Sequence, residues 1–337
     1  MPPKKAVKKA GAKGGKKDKG PEVDPAEVVV QFQKHYVRLA KDRGLDPLRL
    51  GSAEDNGVLS TEAVFTKVAL HPLMPGPACD LPQLMTALDA LAFYRFLRHL
   101  CVWRVPLAEE GSARLGRFLS ASKTVARVEL LDCNINTGGC AHVAAALQSN
   151  VILTRLSLDH NPIGESGVTA LRAALEKNGS LQSLSLRFCG VQPGGAEALA
   201  RLIAACKLRD LDLQGNQLET LGACRCLEAL RENVSLARIG LACTSWGADN
   251  AVTQALLETI EQNKTCNEYN IGGNPIGNAN AIKLAAALRS TPHVTGLVTT
   301  DQLTPAIFHE IAKLADANLK EMLKRNKKKK GGKKKKK

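Results

Sequence analysis

The pattern L-x-x-L-x-L, with Val, Ile, Cys or Tyr standing in for Leu, recurs along this 337-residue chain at nearly one spacing. It begins at Leu97, Val125, Leu153, Leu181, Leu208, Leu236, Cys266 and, in degraded form, Val294. Successive starts lie 28, 28, 28, 27, 28, 30 and 28 residues apart. A chain that repeats a pattern on such a period builds one supersecondary unit again and again. Each unit opens with alternating apolar positions, as at Leu156 and Leu158, which is the period of a strand. A turn and a helical stretch follow, in which Val168, Leu171 and Leu175 share one helical face. No unit buries that face alone; stacked neighbours do.

The turn Asn-Pro-Ile-Gly occurs twice, at Asn161–Gly164 and Asn274–Gly277, each time at position nine of its unit. Pro162 fixes φ there, and Ile163 is expected to point into the core. The motif series resembles the leucine-rich repeat, and a period near 28 with a full helix in each unit is similar to its ribonuclease-inhibitor-like subclass. The resemblance covers roughly Leu97 to Thr304. It implies an α/β solenoid of about eight repeats shaped as a horseshoe, with a parallel sheet on the concave face, helices on the convex face and helical caps. It also implies that position nine bonds backbone groups of neighbouring turns as a ladder. That position reads Val105, Cys133, Asn161, Cys189, Asn216, Thr244, Asn274 and Gln302. Cys133, Asn161, Cys189, Asn216 and Asn274 are therefore expected to be structural; cysteine is small, tolerates burial and is a weak donor.

Residues 24–92 read as an N-terminal helical cap. Asp24-Pro25-Ala26-Glu27 has capping-box spacing with Pro at the first helical position, and Val28, Phe32, Tyr36 and Leu39 mark an apolar face ending near Gly44. Further helices are expected over Thr61–Leu70 and Leu81–Leu97, joined by a proline-rich loop. Repeats occupy 93–304. A capping helix at 305–325 is expected to turn Ile307, Phe308, Ile311, Leu314 and Leu319 inward. Residues 1–23 and 326–337 read as disordered lysine-rich tails, too poor in apolar residues to fold.

The net charge of +15 sits in those tails. Residues 1–20 carry +7 and residues 320–337 carry +11, which leaves −3 for residues 21–319. The N-terminus has charge but no apolar core of a secretory signal, and no apolar run reaches the length of a membrane span. The ten cysteines are accordingly expected to stay reduced.

Chemistry finds little purchase. Cys133 and Cys189 fall on ladder sites, Cys266 falls on a strand core position, and Cys224-x-Cys226 has the wrong spacing for a zinc knuckle. Gly272–Gly277 is followed by Asn278 and Ala279 where a phosphate-binding loop needs Lys and Ser or Thr. No enzyme, cofactor or metal is expected. Positions three, five and seven of each unit should face the concave side. There Trp103, Leu131, Arg127, Arg155 and Arg187, with Phe188 at position eight, form a candidate protein-contact patch, bordered by His99 and Arg104. Trp246 falls on a core position instead.

The basic tails (Lys4, Lys5, Lys8, Lys9; Lys327, Lys328, Lys329, Lys330, Lys333, Lys334) suit attachment to acidic surfaces such as tubulin tails. No aromatic residue interleaves the lysines, so nucleic-acid contact would be with phosphate and non-specific. Nothing marks a membrane partner. The favoured expectation is a non-catalytic scaffold or adaptor within a large cytoplasmic cytoskeletal assembly, similar to microtubule-associated leucine-rich repeat components of the cilium or flagellum axoneme. Two alternatives stay open. One is a small-GTPase regulator resembling the Ran GTPase-activating protein, whose acidic tail this chain replaces with lysines. The other is a nuclear or ribonucleoprotein-associated adaptor.

Overall fold

The computed structural model describes residues 24–50, 65–74, 76–246 and 250–334. The chain enters through α1 (Pro25–Asp42), β1 (Lys67–Leu70) and α2 (Leu81–Leu91). Strand and helix then alternate: β2 (His99–Trp103), α3 (Ala108–Ala121), β3 (Arg127–Leu131), α4 (Thr137–Ser149), β4 (Arg155–Ser157), α5 (Gly164–Leu175), β5 (Ser183–Ser185) and α6 (Ala196–Ala205). The series continues with β6 (Asp210–Asp212), α7 (Glu219–Glu232), β7 (Arg238–Gly240), α8 (Asn250–Gln262), β8 (Glu268–Asn270), α9 (Gly277–Ser290), β9 (Gly296–Val298) and α10 (Pro305–Lys334).

Among the described residues the strands form one open nine-stranded sheet, every neighbour parallel and in chain order. The register is set by burial. Val68, Leu100, Val128, Leu156, Leu184, Leu211, Ile239, Tyr269 and Leu297 pair in one continuous row, and every one is buried. A one-residue slip would turn that row to solvent. Parallel strands stand about 4.8 Å apart, whereas packed helices need about 8–10 Å, so the helical layer takes the longer, outer side and the sheet the inner one. No helix among the described residues is long and apolar enough to cross a membrane.

Position eight carries a regular backbone feature. Arg104, Asp132, His160, Phe188, Gly215, Cys243 and Gly273 have φ of 55, 53, 60, 52, 75, 52 and 70°. Strands β2 to β8 thus each leave the sheet through a left-handed residue, five times without glycine's freedom, at a cost of about 1–2 kcal/mol per non-glycine residue.

Several expectations change. Lys67–Leu70 is a strand where a helix over Thr61–Leu70 was expected; residues 61–64 lie outside the described residues. Val68 and Leu70 are buried while Lys67 is exposed, a two-residue alternation, and pairing with β2 outweighs helical propensity. The described part of residues 24–92 therefore adds a strand, β1, to the sheet beside β2, where only helices were expected. α2 stops at Leu91 rather than Leu97, because the chain must be extended by His99 to join the sheet. α1 begins as its sequence implies, with Asp24 Oδ1 accepting from Ala26 N at 2.9 Å.

At the far end α10 seats Ile311 and Ala315 in the core, with Ile307 and Leu314 partly buried against it. Phe308, expected to face inward, is 36% exposed, and Leu319 is half-buried. The helix also runs on to Lys334, through residues expected to be disordered. Lysine is a good helix former, and a helix already nucleated on the last repeat needs no new nucleus to continue.

Candidate protein-binding face

Two ladders of asparagine hold the coils in register, and they define which side chains remain for the surface. On the sheet side, Asn161 Oδ1 accepts from Cys133 N at 2.9 Å and Ile135 N at 3.0 Å. Its Nδ2 donates to Leu130 O and Leu158 O, each at 2.8 Å. Asn216 repeats this, accepting from Cys189 N and Val191 N at 3.1 Å and donating to Leu186 O and Leu213 O at 2.8 Å. Asn274 accepts from Thr244 N at 2.9 Å and donates to Leu241 O at 2.8 Å. Where cysteine replaces asparagine, the thiol donates instead: Cys133 to Val102 O at 3.3 Å and Cys189 to Leu158 O at 3.2 Å. Burial pushes both thiols up to about 12. Gln302, with no following coil, is exposed.

The second ladder lies on the helix side and was not foreseen. Asn150, Asn178, Asn233 and Asn263 each stand three residues before a strand-core position, and each is buried. Asn178 Nδ2 donates to Leu147 O at 2.6 Å and Asn150 O at 2.9 Å, while its Oδ1 accepts from Ser180 N at 2.9 Å and Leu181 N at 2.8 Å. Asn263 reaches Asn233 O at 2.7 Å in the same way. Asn318 of α10 supplies the equivalent donor to Leu288 O at 3.1 Å, so the capping helix imitates one more coil. The signal in the sequence was N-x-x-[LC], repeated at Asn150, Asn178, Asn233 and Asn263.

With the interior so occupied, the sheet's inner face carries the remaining polar groups. Trp103 and Leu131 are register partners and half-buried. The Trp103 ring lies between His71, at 5.8 Å, and the Arg104 guanidinium, at 4.9 Å. Arg104 in turn pairs with Asp132 at 3.1 Å. The expected patch does not close into one surface. Arg155 sits at position three, about 13 Å along the strand direction from position seven, and Asp159 separates Leu131 from Arg187. Phe188 forms its own feature on the rim, 44% exposed and stacked on His160 at 4.7 Å. It also lies over Gly215, where any Cβ would collide with its ring.

Further along, a trough of ≈ 360 Å³ opens over β4 to β9. Its charges are mostly paired. Arg187 holds Asp212 at 2.6 Å, Asp159 Oδ1 accepts from Ser185 Oγ and Arg187 N, and Arg238 bonds Asp210 with Glu268 at 3.9 Å. At the other end Glu129 receives Arg127 at 2.7 Å and lies 3.3 Å from His99 Nε2. Burial pulls the Glu129 carboxyl up, but the charges of His99 and Arg127 outweigh it and hold it below the usual range. Burial lowers His99, and Arg127 and Lys67 add to that against the pull of Glu129.

Among the described residues no group of His, Cys, Asp and Glu could hold a metal ion. Cys226 and Cys266 are buried, with thiols pushed up to about 12 by burial, so neither is poised as a nucleophile. Trp246 is buried. Lys4, Lys5, Lys8 and Lys9 lie outside the described residues. Lys327 and Lys328 are exposed on α10, and the backbone of Lys329, Lys330, Lys333 and Lys334 continues that helix.

A family model described as Leucine Rich repeat matches residues 149–171, 177–200 and 204–223. The chain is similar to human NACHT, LRR and PYD domains-containing protein 5, with 33% identity over 204 residues, 59% of this chain and 17% of the relative. The protein of the same name in Mus musculus is 31% identical over 248 residues, 72% of this chain and 21% of the relative. The chain thus spans only 17% to 21% of the length of the curated relatives it matches. Among solved structures, an internalin of Listeria monocytogenes aligns over 87% of this chain and 93% of its own, at a TM-score of 0.36 and 14% identity. Residues 149–171, 177–200 and 204–223 match leucine-rich repeats, and the fold is an α/β solenoid of the leucine-rich-repeat kind.

Proposed function

We propose that this leucine-rich-repeat solenoid is a non-catalytic scaffold of a cytoplasmic, cytoskeletal assembly, associated with microtubules in the axoneme of a cilium or flagellum. Its inner sheet face holds partner proteins, and its lysine-rich ends attach it to acidic surfaces such as tubulin tails. One observation carries the reading. α10 is a single helix that seats Ile311 in the last repeat and then presents exposed Lys320, Lys324, Lys327 and Lys328 beyond it. The basic end is thereby fixed in direction relative to the body, as a strut rather than a loose tether.

Contacts between exposed charges weaken as salt rises, since the screening length falls from about 10 Å at 0.1 M to about 3 Å at 1 M. The full chain is expected to co-sediment with microtubules at low salt and to lose that binding by about 0.3 M salt. Removing residues 1–20 and 326–337 together is expected to lower the bound fraction about tenfold at low salt. The second cut leaves Asn318 and the capping turns of α10 in place. Unchanged binding of the truncated chain at low ionic strength would overturn the reading.

A further inference from the structure

Position three of the first four strands is basic on every rung. The register pairs Lys67 with His99, His99 with Arg127, and Arg127 with Arg155. Lys67, Arg127 and Arg155 are exposed, and His99 is half-buried. Like charges directly opposite on neighbouring strands destabilise a sheet, so the Arg127–Arg155 pair, with Lys67 two strands away across the half-buried His99, runs against the stability of the fold. Among the described residues one carboxylate answers them: Glu129, at position five, which takes Arg127 and lies beside His99. Lys67 and Arg155 have no hydrogen-bond or ion-pair partner for their charged groups among the described residues. Beyond Arg155 the same row changes character, to Ser183, Asp210, Arg238 and Glu268, where acid and base are paired.

We infer that the row Lys67–His99–Arg127–Arg155 is a docking strip for an acidic, extended segment of a partner polypeptide. The inference rests on the reading of the inner sheet as a partner-binding face and adds the chemistry of what binds there. Four rungs at about 4.8 Å span about 14 Å. An extended segment places same-side residues about 6.6 Å apart, so two or three alternating Glu or Asp side chains cover the strip. Arg155 offers an unoccupied planar fork, the geometry that a carboxylate meets with two parallel hydrogen bonds.

Separated carboxylates fit better than a nucleic-acid backbone. Glu129 interrupts the strip and Asp159, Asp210 and Asp212 follow it on the same face, so an unbroken run of phosphates would meet fixed negative charge. The Trp103 ring, which could stack a base, is flanked by His71 and Arg104.

The test uses the full chain and a synthetic (Glu-Ser)6 peptide, coupled by a water-soluble carbodiimide that joins peptide carboxylates to nearby lysine amines, with the products mapped by mass spectrometry. Lys67 is the lysine of the strip and serves as its reporter, while the lysines of the two ends report their own attachment separately. Cross-linking at Lys67 is expected in the wild type, well above that at the body lysines Lys207 and Lys264. It is expected to fall at least fivefold in R155E and R127E and to be largely kept in R155K, with the terminal cross-links unchanged. Arg127 and Arg155 are exposed, and equal thermal midpoints for the variants would confirm intact folding. No preference for Lys67 in the wild type, or an unchanged yield in R155E, overturns the inference. So does displacement of the peptide from Lys67 by oligo(dT) at lower concentration than by free peptide, which would make the strip a nucleic-acid site. Loss of the terminal cross-links alone would count against the scaffold's attachment and leave the strip standing.

Discussion

Asn161→Ala is expected to lower the unfolding free energy by about 4 kcal/mol, because each buried polar group left without a partner costs about 1–3 kcal/mol. Three backbone groups lose their partner at once, the Cys133 and Ile135 amides and the Leu130 carbonyl, while the Leu158 carbonyl keeps only the weaker Cys189 thiol. The site is 1% exposed, so water cannot replace the side chain without opening the coil. A loss of this size is a large share of the roughly 5–15 kcal/mol that holds a typical domain folded. Position in the array matters as well. Each coil touches only its neighbours, so a defect between β3 and β4 uncouples the N-terminal cap and first repeats from the rest. Urea unfolding followed by circular dichroism is expected to shift to lower midpoint and to broaden or split into two phases. A midpoint within measurement error of the wild type would mean that the ladder bonds are not made.

Asn178→Ala is expected to cost about 3 kcal/mol on the same grounds. Its side chain satisfies two carbonyls, of Leu147 and Asn150, and two amides, of Ser180 and Leu181. The residue is 7% exposed, slightly more open than Asn161, so partial rescue by water reduces the effect. The two asparagines clamp opposite ends of the β4–α5 coil, and neither bonds a group the other bonds. Their costs are expected to add in the double variant to within about 0.5 kcal/mol. A strongly sub-additive result would show that one substitution already releases the whole coil.

What the sequence could disclose follows from what its period encodes. The 28-residue spacing fixes strand, turn and helix because each apolar row must face its copy in the next coil; Leu100 to Leu297 form that row. The ladder at position nine was readable because Asn161 and Asn274 sit in identical turns. The helix-side ladder was equally periodic, but asparagine before a strand reads as an ordinary turn residue, and its bonds reach back to the previous coil, about 31 residues away. β1 was misread as helix because four residues, Lys67–Leu70, give too short a window to separate the two periods, and only the open edge of β2 decides the matter. The contact patch was misassembled for a related reason. Exposure and residue type alone group Arg155 with Leu131, whereas the strand direction separates positions three and seven. The basic row is a property of register rather than of sequence order, since its members lie about 28 to 32 residues apart in the chain.

Stacking consumes seven of the ten thiols and the ladder asparagines as structural parts and leaves the inner sheet for partners. Thiol labelling of the folded full-length protein at pH 8 addresses it most directly. Cys243 is exposed, Cys101 and Cys224 are half-buried, and the other seven cysteines are buried. Rapid alkylation by iodoacetamide is expected at Cys243 and slow alkylation at Cys101 and Cys224. Cys133, Cys140, Cys189 and Cys266, all pushed up to about 12 by burial, should react only in step with unfolding in urea. Native-state labelling of Cys133 or Cys189 as fast as that of Cys243 would contradict it.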